Sequence, residues 1–277
     1  MAHAGALAEI RAALAGGTLI PYLGPGMLEL MPDCPVPNTP EELAVLMSAR
    51  VAVPHKIRDR LTAAAQFIEN FKHRKTLVSL MHQAFGAGAQ PSALHRTLAA
   101  HPALPLIVDC WYDDAMQNAL ADRADWGLVQ GLSQSEHFGH WSGWYDAQGR
   151  PCSESAAQDW RTLLYQPLGS VAPADNFIVS DSDYVEVLTE IDIQTPIPQR
   201  VQTLREGRNF LFLGCRFTDQ LQRSFARQIM KRSAGRHWAV LPDEPTRNEH
   251  RFLVQQQIER IDWQLEGFEG WLTAQSM

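Results

Sequence analysis

A chain of 277 residues with 45% hydrophobic and 20% charged side chains can build one full core and a smaller appended unit, and it is ordinary for a globular fold. Its net charge of −7 argues against a general nucleic-acid binder, because neutralising phosphates needs a basic surface. No run approaches the ~20 apolar residues of a membrane span, residues 1–5 lack the charged start of a signal peptide, and Cys34, Cys110, Cys152 and Cys215 form no C-x-x-C pair, so a reducing cytoplasm is expected.

Leu7, Ile10 and Leu14 fall on one helical face that Gly16 and Gly17 end. Residues 18–23 (TLIPYL) read as a strand entering Gly24-Pro25-Gly26, a loop of phosphate-binding size, although Pro21 removes one ladder donor. The proline-rich stretch 31–40 is a loop, and Pro40-Glu41-Glu42 suits a helix start. From about 41 to 99 the pattern stays helical, with Ala64, Phe67, Ile68 and Phe71 in one stripe and Leu77, Leu80, Met81 and Phe85 in another. Residues 104–110 return to buried-strand composition, and a helix over 113–123 turns Met116 and Leu120 inward.

Residues 125–158 are rich in Gly, Ser, Trp and His and weakly periodic, which predicts a long irregular excursion. A strand is expected over 176–179. Ser180 with Asp183 then resembles a capping box before Tyr184, Val187, Leu188 and Ile191. The last third alternates: a helix ending at 201–206, then strands at 209–213, 238–241 and 258–262, with helices at 219–231, 248–256 and 268–272 between and after them. That alternation predicts an α/β fold with a doubly wound, Rossmann-like parallel sheet. One unit over 1–277 is expected, with its core in 1–40 and 100–277 and a smaller inserted helical subdomain in 41–99.

Four segments in this order resemble the sirtuin-like (SIR2-like) family of NAD-binding proteins. Residues 19–27 (LIPYLGPGM) resemble its first strand and G-A-G-x-S loop, and Pro91-Ser92-Ala93-Leu94-His95 with 106–114 (LIVDCWYDD) resembles its P-S-x-x-H and T-T-N-Y-D-D segments. Residues 165–170 (YQPLGS) resemble its K-L-H-G-S region, and 210–221 (FLFLGCRFTDQL) resemble F-L-F-L-G-Y-S-x-x-D-x-x-L. The resemblance implies a nucleotide cleft, for NAD or a related nucleotide, touched by Gly24, Gly26, Asp113, Gly214 and Asp219. It also exposes departures. Where the family has an Asn that positions ribose and water this chain has Trp111, and where it has the general-base His this chain has Leu168; Pro25 and Leu28 replace the loop's Ala and Ser. The expectation is a protein with no catalytic residues of that type, retaining the scaffold and no certain cofactor.

A non-catalytic protein would act by binding another protein. The candidate surface is the excursion's Trp126, His137, His140, Trp141, Trp144 and Tyr145, together with a basic ridge of Arg223, Arg227 and Lys231. Each has a plainer reading, as core cover or solvated face. His137 and His140 lack further nearby ligands, so no metal site is expected. Cys215 at a strand-to-helix turn reads as a packing residue, not a nucleophile. A general resemblance to bacterial sirtuin-like accessory proteins of nitrogen-fixation systems, carried by no single motif, implies a metalloenzyme under maturation or repair as the partner. Two alternatives stay open: an NAD hydrolase or ADP-ribose transferase with its base relocated to His95, His137 or Asp113, and a nucleotide sensor without turnover.

Overall fold

The computed structural model describes residues 3–190 and 196–274. The chain runs α1 (Ala4–Ala15), β1 (Leu19–Leu23), a 3-10 turn (Pro25–Leu30), α2 (Pro40–Arg50), α3 (Leu61–Lys72), α4 (Arg74–Phe85), α5 (Ala93–Ala100), β2 (Leu106–Asp109) and α6 (Ala115–Leu120). It continues with β3 (Trp126–Gly131), β4 (Ser142–Asp146), β5 (Thr162–Gln166), β6 (Gly169–Ser170), β7 (Asn176–Phe177), α7 (Asp181–Glu190) and α8 (Gln199–Arg205). The last elements are β8 (Asn209–Leu213), α9 (Gln220–Ile229), β9 (His237–Val240), α10 (Arg247–Gln255), β10 (Ile258–Ile261) and α11 (Leu265–Thr273).

Eight strands form one sheet in the order β10-β9-β8-β1-β2-β5-β3-β4, all parallel except the β3–β4 edge pair. The strand side chains alternate between two cores. Ile20, Tyr22, Phe210 and Phe212 pack on one face with residues of α2, α3, α4, α7, α9 and α10. Leu19, Leu23, Leu211 and Leu213 pack on the other with α1, α5 and α11. Helices on both faces of a mostly parallel sheet make the doubly wound, Rossmann-like α/β architecture that the alternation predicts. Pro21 sits inside a central strand because β1 pairs with β8 along its whole length but with β2 only at Tyr22 and Leu23.

Helix starts follow local chemistry. The Thr39 hydroxyl accepts the Glu42 N–H with Pro40 at the first turn of α2, and Thr246 and Glu249 close a reciprocal capping box on α10. The expected Ser180–Asp183 box is present at α7: each side chain accepts the other's backbone N–H, at 3.0 and 3.3 Å. Ile191 of the expected stripe lies outside the described residues.

Three expectations are corrected. Residues 125–158 are not one irregular excursion: β3 lies inside the sheet against β5, and β4 closes its edge. The glycines that blurred the pattern are there for contact, since a Cβ on Gly127 would stand 2.3 Å from the Trp160 ring and one on Gly131 2.1 Å from the Pro167 carbonyl oxygen. The α3 stripe is Leu61, Ala64, Ala65 and Ile68, while Phe71 is 66% exposed and packs at a tilt on Phe67. The helix expected over 113–123 is the shorter Ala115–Leu120, with Met116 and Leu120 buried as expected.

Candidate functional site

The chain leaves β1 to build β2 on one side and later returns to place β8 on the other, so β1 and β8 flank the point where the strand order reverses. Ligand crevices in open α/β sheets form outside the carboxyl ends of strands at such a point. A cavity of about 490 Å³ occupies it, lined by the loops after β1, β2, β8 and β9 and by the starts of α2, α3, α7, α9 and α11.

The two glycine loops interlock at its floor. Gly24 N–H donates to the Leu213 carbonyl and Gly26 N–H to the Gly214 carbonyl, both at 2.9 Å, and Met27 N–H donates to the Gly24 carbonyl at 3.1 Å. A Cβ on Gly24 would lie 2.5 Å from the Gly214 oxygen, and one on Gly214 (φ +63°) 2.3 Å from the Met27 nitrogen. The close approach these glycines permit is therefore that of one loop to the other.

Above the floor, the Trp111 indole N–H donates to the Pro37 carbonyl at 2.8 Å, and the ring packs on Phe85 and Tyr112 with centroids 5.8 and 5.0 Å away. Leu168 lines the same cavity with Tyr22 and Tyr184, whose hydroxyls burial pushes well above their ordinary range. Cys215 also lines it, and burial raises its thiol strongly, so the start of α9 does not activate it. Glu29, Glu41, Asp219 and Asp243 stand exposed around the mouth. Burial, then the charges of Glu266 and Asp243, push the Glu29 carboxyl up. Arg216 is the sole basic residue among the described lining residues, and its guanidinium forks onto Glu249 at 2.9 and 3.0 Å and reaches Asp243 at 3.0 Å.

Of the five residues expected at a nucleotide, Gly24, Gly26, Gly214 and Asp219 line the cavity. Asp113 does not: its carboxylate is buried and turns back to accept the Ala115 N–H at 2.8 Å. Burial, with the Asp114 charge adding to it, raises Asp113 to about 6, and burial next to Asp113 raises Asp109 well above the carboxylate range. None of the three proposed relocated bases reaches the cavity lining. His95 is buried at the start of α5, bonded to Ser92 and lowered to about 4 by burial, whereas His137 lies in the loop between β3 and β4.

The expected partner surface is also redrawn. Trp126, Trp144 and Tyr145 are buried, and the Tyr145 hydroxyl accepts from Asn176 at 3.2 Å; they are core, because β3 and β4 join the sheet. Trp141 is half-buried, and His137 and His140 sit in an outer turn with Phe138. The basic ridge is shortened: Lys231 lies past the end of α9, and Arg223 donates to the Phe217 and Thr218 carbonyls at 2.6 and 2.7 Å. Arg227 remains exposed on the helix.

Sequence reasoning missed Glu29, Asp243 and the Arg216–Glu249 pair. The last had a readable signal in Thr246-x-x-Glu249, a capping pattern whose acid does a second job by holding Arg216. Glu29 and Asp243 have none, since one lies in the 3-10 turn after β1, the other in the loop after β9, and only the sheet brings them to one cavity.

A family model described as the SIR2-like domain matches residues 105–261, more than half of the chain. Among solved structures the chain is similar to one titled for the mechanism and regulation of Sir2 enzymes, at 12% identity over 95% of each chain and a TM-score of 0.40. Comparison with curated proteins finds no match. The chain belongs to the SIR2-like domain family.

Proposed function

We propose that this SIR2-like protein does not cleave NAD by acid–base chemistry of the sirtuin type and works by binding another protein. The observation that carries the reading is the cavity wall. Trp111 and Leu168 stand in it, and no histidine is among its described lining residues. An indole already bonded to Pro37 and an alkyl side chain cannot take a proton from a ribose hydroxyl or orient a water. Such help is typically worth about 10²–10⁴-fold in rate.

The turn after β3 supports the binding half of the proposal. Phe138 is 91% exposed, flanked by His137 and His140, and an aromatic ring held out in this way suits an interface anchor. The turn projects from the Gly131–Ser142 end of the β3–β4 pair, with Arg227 a separate exposed cation. The partner expected from sequence resemblance, a metalloenzyme being matured or repaired, belongs to the same proposal. Affinity purification of the tagged protein from its native cell tests it. A stoichiometric protein partner retained by the wild type and lost with Phe138→Asp is the expected result, and equal retention by that variant overturns the role of the turn.

A second reading, a sensor that binds a small ligand without turnover, is favoured by one observation: a cavity of about 490 Å³ persists at the switch point despite the added Trp and Leu.

A further inference from the structure

Two of the free cysteines end strands at the same cavity. Cys110 follows β2, Cys215 follows β8 by two residues, and both line the switch-point cavity together with Gly24, which follows β1 between them. Cys34 and Cys152 are not among its described lining residues.

The backbone sets the two thiols on one side of the sheet. Tyr22 and Val108 pair in register and lie in one core, so by alternation Gly24 and Cys110, two residues further on, face the same way. Gly24 is extended (φ −117°, ψ 179°) and the Cys110 N–H donates to the Leu23 carbonyl at 2.9 Å, so the ladder between β1 and β2 runs on to this pair. Cys110 therefore stands about one strand spacing, ~4.8 Å, from Gly24. Cys215 belongs to the same core from the other side, with its thiol 3.5 Å from the Tyr22 carbonyl oxygen. A Cβ on Gly24 would stand 2.8 Å from the Cys215 sulfur. The side chain that Gly24 lacks is thus the gap between the two thiols.

The chemistry of such a pair is narrow. Burial pushes both thiols up, so neither is a resting nucleophile. Among the described residues no group of three His, Cys, Asp or Glu side chains is placed to hold a metal, which leaves the two sulfurs as the whole ligand set. Zinc and iron–sulfur sites take four ligands, whereas a soft closed-shell monovalent ion prefers thiolate and accepts two in a line. Two thiolates and one such ion keep a single negative charge. The starts of α3 and α11 line the same cavity with no side-chain cap, and their positive dipole ends offset that charge.

We propose that Cys110 and Cys215 form a two-coordinate thiolate site for a soft monovalent metal ion of the copper(I) class. Binding forms two metal–sulfur bonds and releases the two thiol protons to solvent, with no change of oxidation state. The inference concerns the cavity alone and stands whether or not the turn at Phe138 binds a protein.

Anaerobic titration of the reduced, intact protein with copper(I) held by the chelator bicinchoninate tests it. The protein is expected to take one copper per chain from the chelator and to gain a sulfur-to-copper charge-transfer band. Cys110→Ser and Cys215→Ser should each weaken retention about 100-fold or more, because either change loses the advantage of two ligands on one chain. Cys34→Ser and Cys152→Ser should retain copper as the wild type does. Serine keeps the side-chain size, and melting temperatures without copper read whether each variant folds. The wild type itself should melt higher with copper, since only the folded chain brings the two thiols together. No transfer from the chelator, no rise in the wild-type melting temperature, wild-type retention by Cys110→Ser or Cys215→Ser, or loss of copper with Cys34→Ser or Cys152→Ser overturns the inference.

Discussion

The sheet has two wings either side of β1, and they are built by different rules. In the wing of β8, β9 and β10 the buried strand positions are apolar except for His237, as in Phe210-Leu211-Phe212-Leu213. In the wing of β2, β5, β3 and β4, Gln130, Thr162 and Gln166 are fully buried inside strands. Each is satisfied: Gln130 donates to the Ala172 carbonyl at 2.6 Å, Thr162 to the Leu104 carbonyl at 2.9 Å, and Gln166 to Asp109 at 3.2 Å. A polar residue in a strand therefore marks a buried network here, not a loop.

The largest effect should come from the joint between the wings. Gly214→Val places a side chain at positive φ and against the Met27 nitrogen, so it should destabilise the fold by about 4 kcal/mol or more, read as a loss of soluble protein or a collapsed urea midpoint. A variant of near wild-type stability would break the picture of interlocked glycine loops.

The next substitutions compare the wings directly. Phe212→Ala opens a cavity in the apolar wing and should cost about 3–5 kcal/mol. Gln166→Leu keeps side-chain volume but removes the donor to Asp109 and the acceptor of Gln117, whose amide lies 2.9 Å away, and should cost about 2–3 kcal/mol. A neutral or stabilising Gln166→Leu in urea titrations would mean that the polar wing is held by its apolar residues alone.

A gradual effect, spread over about two pH units, is a pH dependence. Burial lowers His237, which accepts the Phe210 N–H at 2.9 Å, to about 4, and burial and then Arg96 lower His95 to about 4. Both are neutral in the fold and protonate at ordinary values once unfolded. Their stabilisation is thus complete above about pH 6.5 and is lost as pH falls from there toward 4, by about 2–3 kcal/mol each. Thermal melts should show that decline, and His237→Gln, which keeps an acceptor without titrating, should make it shallower. An equally steep decline in that variant would remove His237 as a cause.

The same contrast explains what the sequence revealed. The last third was legible because each apolar run is bounded by turns and followed by a helix of matching period, and its strands fall within a residue of expectation. The strands β3, β4 and β5 were not, because Gly127, Gln130, Gly131 and Gln166 are loop-like residues whose partners lie far along the chain. At the cavity, the glycines and Asp219 were readable from their motif positions. The carboxylate rim was not, since Glu29 and Asp243 reach one cavity only through the parallel register of β1, β8 and β9.

Whether this SIR2-like scaffold lacks sirtuin-type NAD cleavage, as proposed, is read most directly from nicotinamide release from NAD by the purified protein. No release above the buffer blank is expected at any protein concentration. Steady release proportional to protein, lost on Glu29→Gln or another change in the cavity wall, would contradict it.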